Sequence, residues 1–213
     1  MLDSPRNLFL ALALSALAGF VDGIGFLHLG GLFVSFMSGN STRMGVSLAE
    51  AHWGDAAYAA GLIGLFVAGA ALGSLIMRLR SAYSQVQLLM VEGGLLTAAL
   101  LCHLMGLPQS AVAGIVLAMG LENAAFRIRG GGGLGLTYVT GALVKVGQQL
   151  AAALTGGPWF GWVPNVLLWA ALVTGSAVGA WTYLRINLMA IGVAAGFAFL
   201  LAVFVAATVT RKH

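Results

Sequence analysis

Polar positions are rare along this chain, and where they fall organises it. Apolar residues run almost without interruption from Leu8 to Leu29, Ala56 to Met77, Val86 to Met105, Ala111 to Phe126, Val163 to Leu184 and Leu188 to Val209. A helix needs about 20 such residues to cross the hydrocarbon layer, so each stretch is expected as a membrane span. Two others, Phe33 to Ala49 and Leu134 to Leu154, are less apolar and stand out as anomalous elements.

Both anomalous stretches carry the same motif. Phe36-Met37-Ser38-Gly39-Asn40-Ser41-Thr42-Arg43-Met44-Gly45 aligns with Tyr138-Val139-Thr140-Gly141-Ala142-Leu143-Val144-Lys145-Val146-Gly147, placing aromatic, hydroxyl, glycine, cation and glycine at equal spacing. Upstream, Gly19-Phe20-Val21-Asp22 faces Gly120-Leu121-Glu122-Asn123, and Gly30-Gly31-Leu32 faces Gly132-Gly133-Leu134. Downstream, Gly69 and Gly73 face Gly175 and Gly179. Several anchors in one order point to duplication, with halves at roughly 7–106 and 108–209 of a single membrane domain spanning 1–213.

Composition fixes the class. Hydrophobic residues make up 60% of the chain and charged ones 8%, with a mean hydropathy of +0.98; a soluble domain carries about 25% charged residues. An all-α integral membrane protein follows, in contact with membrane lipid. The 31 glycines suit helices that approach closely in lipid. The single cysteine, Cys102, excludes an intramolecular disulfide. The net charge of +4 rests on few residues and forms no basic cluster with interleaved aromatics, so nucleic acid is not an expected partner.

Charge also arbitrates the topology. With six spans and a cytoplasmic N-terminus, Arg6, Arg78, Arg80, Arg127, Arg129, Arg211 and Lys212 fall on the cytoplasmic side and Arg185 outside. Eight spans distribute the cations less favourably in either orientation. Six spans give the two halves opposite orientation, and the motif segments become broken or re-entrant elements of a 3+3 inverted repeat, a recurring transporter design. Both termini are then cytoplasmic in a bacterial inner membrane. Arg6 followed by an apolar run and Ala16-Leu17-Ala18 imitates a signal peptide, but the run continues to Leu29 and its repeat counterpart lies mid-chain, so the segment is expected to stay.

The motif predicts a backbone break at Ser38-Gly39-Asn40 and at Thr140-Gly141, each followed by a helix, because glycine tolerates unusual angles and Ser, Thr or Asn satisfies first-turn amides. Such backbone survives at membrane depth only when sheltered by protein or a wet cavity. If the two helix starts converge, their dipoles attract polar or anionic groups, and Arg43 and Lys145, one turn further on, turn toward the same zone. A substrate site of Ser38, Gly39, Asn40, Thr42, Arg43, Thr140, Gly141 and Lys145 is one reading. The other is that the cations pair with Asp22, Glu92 or Glu122 and lock the helices.

Acids at membrane depth require pairing or hydration. Asp22, Glu122 and Asn123 occupy equivalent places in the halves and are candidates for gating or proton coupling, with Glu92 a third acid lacking a repeat partner. For Asp22, a salt bridge to a motif cation is preferred over proton coupling. The G-x-x-x-G pairs Gly69/Gly73 and Gly175/Gly179 fit packing of one half on the other better than dimerisation, although a homo-oligomer stays open. His28 and His103 lie near span ends without partners at metal spacing, so no metal site and no cofactor are expected. H-E-x-x-H, G-x-S-x-G and P-loop patterns are missing, and the chain is not expected to be an enzyme.

The stretch Phe33-Val34-Ser35-Phe36-Met37-Ser38-Gly39-Asn40-Ser41-Thr42-Arg43, with Thr137-Tyr138-Val139-Thr140-Gly141, Asp22 and Gly120-Leu121-Glu122-Asn123-Ala124-Ala125, resembles the YoaK family of bacterial inner-membrane proteins. That resemblance implies about six spans and a family of unknown function. In the second copy Ala142, Leu143 and Val144 replace the polar residues after the glycine, which makes any solute site asymmetric. The expected function is a transport protein or channel for a small polar or anionic solute, with a midplane site between the repeats. The alternative is a non-transporting scaffold or regulator held by intramembrane ion pairs.

Overall fold

The computed structural model describes residues 5–79, 81, 83–125 and 139–210. Expectations resting on Arg80, Phe126, Arg127, Arg129, Gly132 to Tyr138, Arg211 and Lys212 lie outside the described residues. Within them the chain is helical: α1 (Pro5–His28), α2 (Met37–Ala49), α3 (Trp53–Arg78), α4 (Ser84–Leu104), α5 (Pro108–Glu122), α6 (Val139–Leu154), α7 (Val163–Ile186), a 3-10 turn (Asn187–Ala190) and α8 (Ile191–Thr210). Four stretches are long and apolar enough to cross a membrane: α1, α3, α4, and Val163–Thr210, which contains α7 and α8. Helix α5 has 15 described residues, about 23 Å at 1.5 Å per residue, and begins at Pro108, whose missing N–H suits a first-turn position. Helix α1, the segment that imitates a signal peptide, is the most enclosed of the long stretches.

Glycine decides which helices meet. A Cβ on Gly175 would stand 2.0 Å from the Ala16 carbonyl oxygen and one on Gly179 equally close to that of Phe20, so α7 lies backbone against backbone on α1. Gly19 and Gly23 return the contact against Leu172 and Ser176. Helices α3 and α5 repeat the arrangement, with Gly69 on Leu117, Gly73 on Leu121 and Gly120 on Phe66. In both seams residue numbers rise together, so the paired helices run parallel. Gly69, Gly73, Gly175 and Gly179 are buried in these seams, which accounts for the G-x-x-x-G pairs without a dimer interface. Helices α4 and α8 run antiparallel, Gly93 resting on the Phe199 ring and Gly192 near Leu100.

Replacing Gly175 with Ala is expected to cost about 1–3 kcal/mol, because neither backbone can yield without shifting a whole helix. Gly64 of α3 meets nothing within 4 Å, so Gly64→Ala is expected to be neutral or to stabilise by up to roughly 1 kcal/mol through helix propensity. Thermal unfolding of the two purified variants checks the contrast; equal midpoints would refute the seam.

The shorter helices sit outside this frame. Helix α2 packs on α3, and α6 packs on α7. Their described residues cover about 20 and 24 Å, less than the roughly 30 Å hydrocarbon layer.

Candidate functional site

The chain between α1 and α2 must turn back into the protein. Gly30 and Gly31 make the turn with φ of +61° and +100°, in the left-handed region that other residues enter at a cost. Residues 33–36 then run non-helically to the start of α2, which leaves backbone amides to be satisfied away from water. Asp22 and Asn40 meet that demand from opposite sides. The Asp22 carboxylate accepts the Val34 N–H at 2.9 Å, the Ser35 N–H at 2.8 Å and the Ser35 hydroxyl. Asn40, fully buried, accepts the Phe33 N–H at 2.8 Å and donates to the Phe33 carbonyl at 2.7 Å.

This geometry corrects the expected position of the break. Ser38, Gly39 and Asn40 belong to the first turn of α2, and Thr140 and Gly141 to that of α6. The helix starts earlier than the polar residues suggest because Asn40 reaches back from inside it to fasten the non-helical segment before it. Gly39 serves close approach instead of unusual angles: a Cβ there would lie 2.7 Å from the Phe36 ring and 2.9 Å from that of Phe33.

The two motif copies meet at one cavity of about 510 Å³. Phe33 and Phe36 line it from the segment leading into α2, and Val139 and Thr140 from the start of α6. Asp22 and Phe26 of α1 and Ser176 of α7 complete the part of the wall with chemical character. Asn165 of α7 donates to Gln149 of α6 at 2.9 Å, and Ser15 of α1 to the Leu168 carbonyl of α7 at 3.0 Å, tying together the helices around it.

The other expected site residues are placed elsewhere. Ser38, Thr42 and Arg43 are exposed on α2, where the Thr42 hydroxyl donates to the Ser38 carbonyl at 3.1 Å. Arg43 lines a separate pocket of about 270 Å³ with Asp55 and Tyr58. Lys145 is exposed on α6, and Gly141 is half-buried there. The expected turning of both cations toward a shared zone is therefore not what the helices do: Arg43 lines a different pocket and Lys145 is exposed, and neither lines the cavity.

The acids also behave differently from one another. Asp22 bonds to loop amides, where a salt bridge to a motif cation was expected, because the break it must satisfy lies immediately beside it. Glu92 of α4 and Glu122 of α5 are fully buried, and none of their four carboxylate oxygens has a hydrogen-bond partner. Glu122 lies within electrostatic range of both Glu92 and Asp22. Asn123 donates to the Met119 carbonyl at 2.9 Å. Among the described residues no cation pairs with these acids, and no group of three or more His, Cys, Asp or Glu could hold a metal ion. His28, at the end of α1, bonds the Tyr183 hydroxyl at 3.1 Å.

Sequence reasoning missed Ser35, Phe26, Gln149, Asn165 and Ser176. Gln149 and Asn165 carried a usable signal, as amides in otherwise apolar surroundings. Phe26 and Ser176 carried none, being ordinary residues of an apolar run.

Helices of this length and composition define an integral membrane protein, here one in which residues of both motif copies line a common cavity. The chain belongs to the family described as "Protein of unknown function (DUF1275)", which matches residues 10–204. It is similar to a UPF0700 transmembrane protein of Rhizobium meliloti (strain 1021), 38% identical over 178 residues, covering 83% of this chain and 76% of that protein. No solved structure matches the chain.

Proposed function

We propose that this chain is a transport protein or channel of the bacterial inner membrane, not an enzyme, and that its solute site is the cavity at which the two motif copies meet. That convergence carries the reading: Phe36 from the start of one motif copy and Val139 and Thr140 from the other, far apart in the chain, line one cavity. In this reading the chain has six spans, both termini are cytoplasmic, and the halves are inverted. The resemblance to the YoaK family agrees with that location. The antiparallel course of α4 and α8, the last long helix of each half, supports inversion, as do the matched glycine seams of α1 with α7 and α5 with α3.

The solute is small and polar. An anionic one would draw on Arg43 and Lys145, and neither lines the cavity. Glu92 and Glu122, buried without partners, are the groups available for proton coupling, since unpaired acids at membrane depth mark function more often than scaffolding. The scaffold reading draws support from Asp22 and Asn40, whose visible bonds all fasten the loop.

Phe36→Trp separates the two. A larger ring in the cavity is expected to lower solute flux into liposomes at least tenfold while folded yield in detergent stays normal. Unchanged flux of every solute that the native protein carries would defeat the transport site.

A further inference from the structure

We propose that the cavity between the motif copies binds a small organic cation, an alkylated ammonium whose charge is held by Asp22 and whose apolar substituents lie against Phe26, Phe33 and Phe36. The inference rests on the cavity being the solute site and names the class of solute.

The walls select by what they can and cannot replace from water. Beside the Asp22 carboxylate, Thr140 and Ser176 bring hydroxyls, and apart from Gly23 the remaining lining is aliphatic or aromatic. A neutral sugar-like solute would leave most of its hydrogen bonds behind. An anion would meet Asp22 with no cation on the wall. An inorganic cation is strongly hydrated and demands about six oxygens, far more than one carboxylate already accepting three bonds and two hydroxyls supply. An alkylated ammonium is weakly hydrated, and its surface is apolar.

Two features of the wall fit that ion. Phe26 and Phe33 lie with ring centroids 5.1 Å apart and tilted by 42°, and Phe33 and Phe36 stand edge to face at 5.2 Å and 83°. This contiguous aromatic surface presents rings in different orientations, the arrangement that attracts a cation through ring quadrupoles. Asp22 supplies the charge. Its bonds to loop amides and Ser35 hold the carboxylate in place at the wall, and no cation among the described residues pairs with it. A volume near 510 Å³ sits within the range of small-ligand sites, roughly 300–1,000 Å³.

The test compares charge at constant shape on the full-length protein in detergent. Choline, its uncharged carbon isostere 3,3-dimethylbutan-1-ol, and the anion 3,3-dimethylbutanoate are titrated by calorimetry and by thermal shift. The cation is expected to bind at least tenfold more tightly than either analogue. Asp22→Asn is expected to weaken the cation at least tenfold with folded yield retained, because the amide oxygen still accepts both loop N–H groups and the amide nitrogen can donate to Ser35. Phe33→Leu is expected to weaken it severalfold and serves if the Asn variant does not fold. Equal binding of cation and isostere, or tighter binding of the anion, overturns the cation class while leaving the cavity as a site. No binding by any of the three overturns the inference, while the Phe36→Trp flux measurement decides separately whether the cavity is the solute site. Cation binding without flux upholds the inference and defeats transport.

Discussion

Asp22→Ala is expected to abolish recovery of folded protein. The alanine would orphan the Val34 and Ser35 N–H groups and the Ser35 hydroxyl, all in a buried setting. Each unsatisfied buried group costs about 1–3 kcal/mol, and three together reach a large share of the roughly 5–15 kcal/mol that holds a folded protein together. Asn40→Ala attacks the same segment from the other side but orphans one N–H and one carbonyl, so it should fall between native and Asp22→Ala. Size-exclusion profiles in mild detergent rank the variants, and a monodisperse Asp22→Ala protein with native stability would show that the carboxylate does not hold the loop.

The opposite sign is expected at the two glutamates. Glu92→Leu and Glu122→Leu each replace a buried group that lacks a partner by one that needs none, in surroundings that are otherwise close-packed and apolar. Relief of desolvation is expected to stabilise each variant by roughly 1–3 kcal/mol, a rise of several degrees in the melting temperature of a chain this size. If flux or pH-dependent uptake falls in the stabilised variants, these acids are kept for work and not for folding, since proteins retain destabilising groups where activity needs them. A fall in melting temperature would mean that something outside the described residues holds the carboxylates. Glu122→Lys, by contrast, places a charge among acids but swells a packed site and should lower folded yield.

The positions of the long helices were legible because lipid imposes a length and a composition on every span. The glycine seams were legible for a related reason: in lipid only close backbone contact distinguishes one apolar face from another, and G-x-x-x-G writes that contact into the chain. Asp22 was legible as exceptional but not in its role. Its partners are backbone amides twelve and thirteen residues away, and amides have no residue type to read. The motif misled by one turn for the same reason, since Asn40 acts backward on Phe33 from within a helix. The aromatic wall was legible only in part: Phe36 opens the repeated motif, whereas Phe26 and Phe33 look like any other apolar residues until the loop folds them together.

The cross-pairing of α1 with α7 and of α3 with α5 sets how this molecule can change shape. Backbones pressed together through glycine have no side chains to slide on, so each pair travels as a unit. Helix α6 rides with the first pair and α2 with the second. Each pair therefore joins the two halves of the chain, and the cavity is walled by α1, α7 and the attached α6, with Phe33 and Phe36 of the segment leading into α2 as its remaining side.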